Sequence, residues 1–114
     1  MYIKTKTLEQ RLKESSEILQ KYPNKIPIII EKNNMDTNLS NLDRNKFLVP
    51  DDLTFGQIIH IVRKRLDLNP TIGIYLYCNN NLITTTSNIR SVYKDYHNED
   101  KFLYITYSGE NTFG

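Results

Sequence analysis

The chain has 114 residues, which allows one hydrophobic core and leaves no room for a second domain. Hydrophobic residues make up 39% and charged residues 25%, so disorder is not expected, and no apolar run approaches the ~20 residues of a membrane span or the core of a secretory signal. The net charge of +2 is uneven: residues 1–50 carry nine basic and six acidic side chains, residues 51–114 six and seven. This mild N-terminal bias suits an acidic peptide or an anionic membrane surface and is too weak to imply nucleic acid.

In chain order, Thr7-Leu8-Glu9-Gln10 has the spacing of a capping box and opens a helix to about Gln20, stopped by Pro23. Leu8, Leu12 and Leu19 form its expected apolar stripe, with Ile18 and Glu14 on a neighbouring face. The β-branched run Ile26–Lys32 predicts a strand buried on both faces, with Pro27 at its start or at a sheet edge. After a polar, asparagine-rich loop, Lys46–Pro50 predicts a second, short strand. Thr54-Phe55-Gly56-Gln57 repeats the capping-box spacing and starts a second helix. Ile58, Ile59, Ile61, Val62 and Leu66 are its apolar face, and Arg63, Lys64 and Arg65 lie in its last turn, where cations suit the helix dipole. A strand at Ile74–Cys78, a turn at Asn79–Asn81, a short helix around Ser87–Tyr93 and a strand at Phe102–Tyr107 complete the reading.

Cys78 is the only cysteine, so no disulfide framework is expected, and its apolar surroundings suit a small core residue in a reduced, cytosolic protein. His60 and His97 are isolated in polar segments, and no acid, base or metal-ligand cluster emerges. No enzymatic activity, cofactor or metal is therefore expected. Arg63-Lys64-Arg65 lacks an accompanying aromatic platform and reads as a solvated helix end.

Without the first helix the order is strand, strand, helix, strand, short helix, strand. That is the order of an α+β, ubiquitin-like β-grasp: a four-stranded mixed sheet with the first and last strands parallel at its centre. One domain over residues 1–114 is expected, with an N-terminal helical extension (1–24), the β-grasp core (25–107) and a flexible C-terminal tail (108–114). A polar tail ending in Gly114 suits a carrier that presents its terminal carboxylate, since glycine can thread a narrow active site, and from these residues alone a frayed terminus accounts for it equally well.

The segments Lys21–Pro27, Ile30–Lys32, Lys46–Pro50, Leu53–Gln57, Ile61–Arg65 and Phe102–Gly114 resemble the autophagy ubiquitin-like modifiers, in order and spacing over about residues 8–114. The chain looks most similar to their GABA-receptor-associated-protein branch. The resemblance implies that activating and conjugating enzymes join Gly114 to the amine of phosphatidylethanolamine. It also implies a cysteine protease that exposes the glycine and later removes the lipid. The protein would then be cytoplasmic, and bound to the autophagosomal membrane once lipid-conjugated, acting in autophagosome formation.

The resemblance further implies a groove for partner motifs of the form aromatic-x-x-aliphatic beside Lys46–Pro50, an edge strand able to pair with an extended peptide. The first pocket would be lined by Glu14, Ile18, Pro27, Ile29, Lys46, Leu48 and Phe102. The second would be lined by Phe47, Val49, Pro50, Leu53, Ile58, Ile61 and Arg65. Lys25, Arg44, Lys46 and Arg65 would attract acidic residues flanking the motif. From the residues alone, core packing accounts equally well for Ile29, Leu48, Val49, Leu53, Ile58 and Ile61. A modifier of proteins or of another membrane, and an unconjugated peptide-binding domain, stay open as alternatives. The chain departs from the family in a short segment before Leu8, which puts the usual first helix in doubt, in Ile83-Thr84 in place of a proline pair, in Lys101, and in a longer 33–41 loop.

Overall fold

Both capping boxes form as the spacing predicts. Thr7 accepts from the Gln10 amide at 3.1 Å while the Gln10 side chain accepts from Thr7 N–H at 2.9 Å, opening helix α1 at Leu8–Lys21. Thr54 and Gln57 do the same for α2 at Phe55–Leu66. Asn88 caps a shorter helix, α3, at Ile89–Tyr96. The computed structural model describes residues 1–109. Where the family places its first helix, Tyr2–Lys4 forms a single 3₁₀ turn.

Among the described residues five strands, not four, build the sheet: β1 Lys25–Lys32, β2 Lys46–Pro50, β3 Ile74–Cys78, β4 Asn81–Leu82 and β5 Leu103–Gly109, in the order β2-β1-β5-β3-β4. β1 and β5 run parallel at the centre, and the other neighbours are antiparallel. The extra strand is two residues long and has no apolar alternation to announce it. It forms because Asn79 and Asn80 both adopt left-handed backbone (φ 50° and 65°), as a two-residue hairpin turn requires. Pro27 lies in an inner strand. Its missing N–H is tolerated because pairing with β5 begins only at Ile28.

The sheet is covered on both faces. Ile28, Ile30, Leu103, Ile105 and Tyr107 pack with Phe55, Ile58 and Val62 of α2 and Ile89 and Val92 of α3. On the opposite face Ile29 and Phe102 pack with Tyr2, and Ile18 of α1 leans on them. The expected leucine stripe of α1 is only half-buried; its buried residues are Arg11 and Ser15. Below the helix lies Asp100, which needs donors rather than methyl groups. Arg11 Nη1 reaches its carboxylate at 2.6 Å, and Ser15 Oγ donates to its carbonyl at 2.6 Å.

β5 also runs further than expected. Ser108 and Gly109, assigned from sequence to a flexible tail, pair with Tyr75 and Ile74 of β3, whereas Phe102 precedes the strand. Residues 110–114, including Gly114, lie outside the described residues. Among the described residues no helix is long and apolar enough to cross a membrane.

Candidate functional site

Among the described residues β2 is an edge strand, paired on one side only. Ile30 N–H donates to Asn45 C=O at 2.8 Å. By the antiparallel alternation Phe47 and Val49 then turn their backbone groups toward β1, and Lys46 and Leu48 turn theirs outward. The Lys46 carbonyl already accepts from Arg44 Nε at 2.8 Å, and the Pro50 carbonyl from Leu53 N–H at 3.3 Å. Pro50 has no N–H to offer.

The strand's side chains divide between two faces. On the α1 face, Lys46 pairs across the strands with Ile29 and Leu48 with Pro27. Leu48 is 37% exposed, whereas Ile29 and Phe102 are fully buried and form a floor. Tyr2, which sequence reasoning missed, stands edge-on to Phe102, ring centroids 5.6 Å apart, and donates its hydroxyl to Glu14. Its only sequence signal was an apolar pair, Tyr2-Ile3, ahead of the capping box. Glu14 also accepts from Lys46 at 2.7 Å and Lys6 at 3.1 Å. Partial burial works against its charge, but the hydrogen bonds from Lys46, Tyr2 and Lys6 prevail and hold its carboxyl down at about 2. Burial and the Glu14 carboxylate push the Tyr2 hydroxyl well above its usual range. The residues named for a first pocket thus lie near one another, and an ion pair ties α1 to β2 across them.

On the α2 face, Phe47, Val49 and Ile58 belong to the main core, with Leu53 packed against it, while Ile61 is half-buried and Pro50 and Arg65 are exposed. Ile58 is fully buried, so it supports this region from beneath rather than offering surface. The guanidinium carbons of Arg44 and Arg65 lie 5.2 and 5.1 Å from the Phe47 ring centroid, and Arg65 reaches Asp43 at 3.3 Å. Pro50 does not join this set by strand alternation; it shares the side of Leu48. Of the four predicted basic attractors, Lys46 and Arg65 are paired with carboxylates and Arg44 with a carbonyl, so their field is partly neutralised. Lys25, half-buried, sits opposite Pro50 at the start of the β1–β2 ladder.

Elsewhere the chemistry is quiet. His60 and His97 are exposed, and burial pushes the Cys78 thiol up to about 12. Among the described residues no cluster of His, Cys, Asp or Glu could hold a metal. Cavities of about 360, 520 and 240 Å³ open around Met1 beside Glu31, toward the far end of β1 from Pro27.

Comparison with known proteins places this geometry. The family described as autophagy protein Atg8, ubiquitin-like, matches residues 10–114. Autophagy-related protein 8a of Arabidopsis thaliana is 46% identical over 107 residues, covering 94% of this chain and 87% of its own. Autophagy-related protein 8A of rice (Oryza sativa subsp. indica) is 47% identical, covering 94% and 89%. The crystal structure of Trypanosoma brucei ATG8 superposes with a TM-score of 0.92 at 38% identity, covering 99% of this chain and 97% of that one. The chain therefore belongs to the Atg8 family of ubiquitin-like autophagy proteins.

Proposed function

We propose that this protein is a group that is transferred, not an enzyme that transfers it. The Gly114 carboxylate would be activated as an adenylate, passed through thioesters on an activating and a conjugating enzyme, and joined as an amide to phosphatidylethanolamine, with a cysteine protease to expose the glycine and reverse the attachment. Each lipid methylene buried in a bilayer contributes about 0.8 kcal/mol, so one two-chain lipid converts a soluble domain into a stably anchored one. Family membership, with the matched region reaching Gly114, carries this half of the reading.

The second half is peptide capture at β2. The observation that carries it is the open edge at Lys46–Leu48, with Leu48 exposed between the Glu14–Lys46 side and the Phe47–Arg65 side. An extended peptide would add as a further strand, its aromatic side chain over Ile29 and Phe102 and its aliphatic one toward Leu53 and Ile61. On the membrane the protein would then act as an adaptor in autophagosome formation.

Intact mass after incubation with the two enzymes, ATP and phosphatidylethanolamine vesicles tests the first half. A gain of one lipid, lost in Gly114→Ala, is expected. No gain, with enzymes active on another family member, would leave an unconjugated peptide-binding domain as the surviving function.

A further inference from the structure

The long 33–41 loop closes over the end of β5, and one side chain in it does the work of a missing strand. Asn33 N–H donates to Tyr107 C=O at 2.9 Å, the last rung between β1 and β5. In a parallel ladder the next rung would run from Gly109 N–H to Asn33 C=O. That carbonyl is diverted: the chain turns, and it accepts from Asp36 N–H at 3.0 Å. The Asp36 side chain supplies the acceptor instead, with Oδ2 2.7 Å from Gly109 N, while Oδ1 accepts from the Asn38 and Leu39 amides at 2.8 and 2.9 Å.

Asp36 is 1% exposed, and Leu39, also buried, lies where a side chain at Gly109 would meet it at ordinary contact distance. The same loop takes the Tyr107 hydroxyl on the Ser40 carbonyl at 2.6 Å. Ser108 Oγ, fully buried next door, has no hydrogen-bond partner among the described residues, so its side chain does not share the task.

We propose that Asp36 is a positioning residue for conjugation: its carboxylate holds Gly109 in the sheet and so sets the point from which the C-terminal peptide departs. This rests on the reading of Gly114 as the reacting residue. From Gly109 the five residues to Gly114 reach at most about 17 Å; were Gly109 released, leaving Ser108 paired with Tyr75 as the last held residue, six residues would reach about 20 Å. A peptide starting from a fixed point spends more of its time with its terminal carboxylate in the geometry the activating enzyme needs.

The test uses the full chain with Asp36→Asn, which keeps the shape but sets an amide where a carboxylate oxygen stood, and Leu39→Ala as a control that loosens the loop while keeping the carboxylate. Two quantities are read: hydrogen exchange at the Gly109 amide, and steady-state kinetics of Gly114 thioester formation on the activating enzyme. In Asp36→Asn, Gly109 exchange should quicken at least tenfold and kcat fall roughly tenfold, with KM within about twofold. Leu39→Ala should leave kcat near wild type.

Unchanged Gly109 exchange both in Asp36→Asn and in Asp36→Ala, which removes every side-chain acceptor, overturns the anchor. Faster exchange with wild-type kcat, or an equal fall of kcat in Leu39→Ala, overturns its role in conjugation. If the wild-type chain forms no thioester on an enzyme competent with another family member, the Gly114 reading fails, and the exchange experiment still decides whether Asp36 anchors β5.

Discussion

Three donors converge on the Asp100 carboxylate: Arg11 Nη1 at 2.6 Å, the Tyr104 hydroxyl at 2.5 Å and Phe102 N–H at 2.9 Å. Burial and the Asp100 carboxylate together raise the Tyr104 hydroxyl far above its usual range, so it stays a donor at any ordinary pH. Asp100→Ala would strand the Arg11 guanidinium under α1, and breaking a buried pair in this way costs on the order of 3–5 kcal/mol. Chemical denaturation should show that loss; a change below about 1 kcal/mol would mean that water reaches Arg11 freely. Glu14 makes a milder and pH-dependent tie. Its carboxyl is held at about 2 against an ordinary 4.5, so the folded state gains from its ionisation at neutral pH. That gain is complete above about 4.5 and is lost as the pH falls toward 2. Glu14→Gln should therefore flatten the acid limb of the stability–pH curve between those values, and NMR should find the Glu14 midpoint near the lower one. An ordinary midpoint would mean that the Lys46 and Tyr2 contacts do not persist in solution.

At the scale of elements, sequence legibility followed local chemistry. The bounds of β2 and β3 and the two capping boxes were readable because β-branched runs, terminal prolines and Thr-x-x-Gln spacings act within a few residues. The buried face of α1 was misread because periodicity counts apolar residues, and this face meets a buried carboxylate through Arg11 and Ser15. β4 and the last two residues of β5 were missed for another reason: the Asn79–Asn80 turn and pairing with the distant Tyr75 and Ile74 of β3 make them strands, not their own side chains. The residues predicted for the first pocket do come together, yet Tyr2 and Lys6, which complete its polar rim, arrive by a long-range fold-back that no local pattern records. Lys101 is a further case. It takes a left-handed φ of 65° in the turn where its N–H donates to Asn98 C=O, the turn that presents Asp100. Lys101→Gly should relieve a conformation costing about 1–2 kcal/mol and lose about 0.5–1 kcal/mol in chain entropy, a net stabilisation of about 0.5–1 kcal/mol. A lowered melting temperature would show that the lysine side chain, not the backbone, matters here.

For the whole molecule, the consequence lies in where the sheet puts its two ends. The candidate groove begins at Pro27–Leu48, near the start of β1, whereas β5 runs parallel to β1 and ends at Gly109, two residues past the partner of Lys32. That offset is about seven rungs, or roughly 23 Å at the rise of a strand. Among the described residues no ion pair or hydrogen bond of the Glu14–Lys46 or Phe47–Arg65 groups reaches β5. The proposed attachment at the tail and the proposed capture at the edge should therefore be thermodynamically independent. Replacing Lys46 and Leu48 together by Ala should weaken binding of an aromatic-x-x-aliphatic peptide about tenfold or more, while the lipid adduct forms at the wild-type rate. Conversely, peptide affinity should be the same for free protein, Gly114→Ala protein and protein conjugated to lipid in nanodiscs. Calorimetric titration of all three forms measures this. A shift beyond about threefold on conjugation would mean that the anchored tail or the membrane reaches the groove, and the protein would then sense its own attachment instead of merely displaying a binding edge.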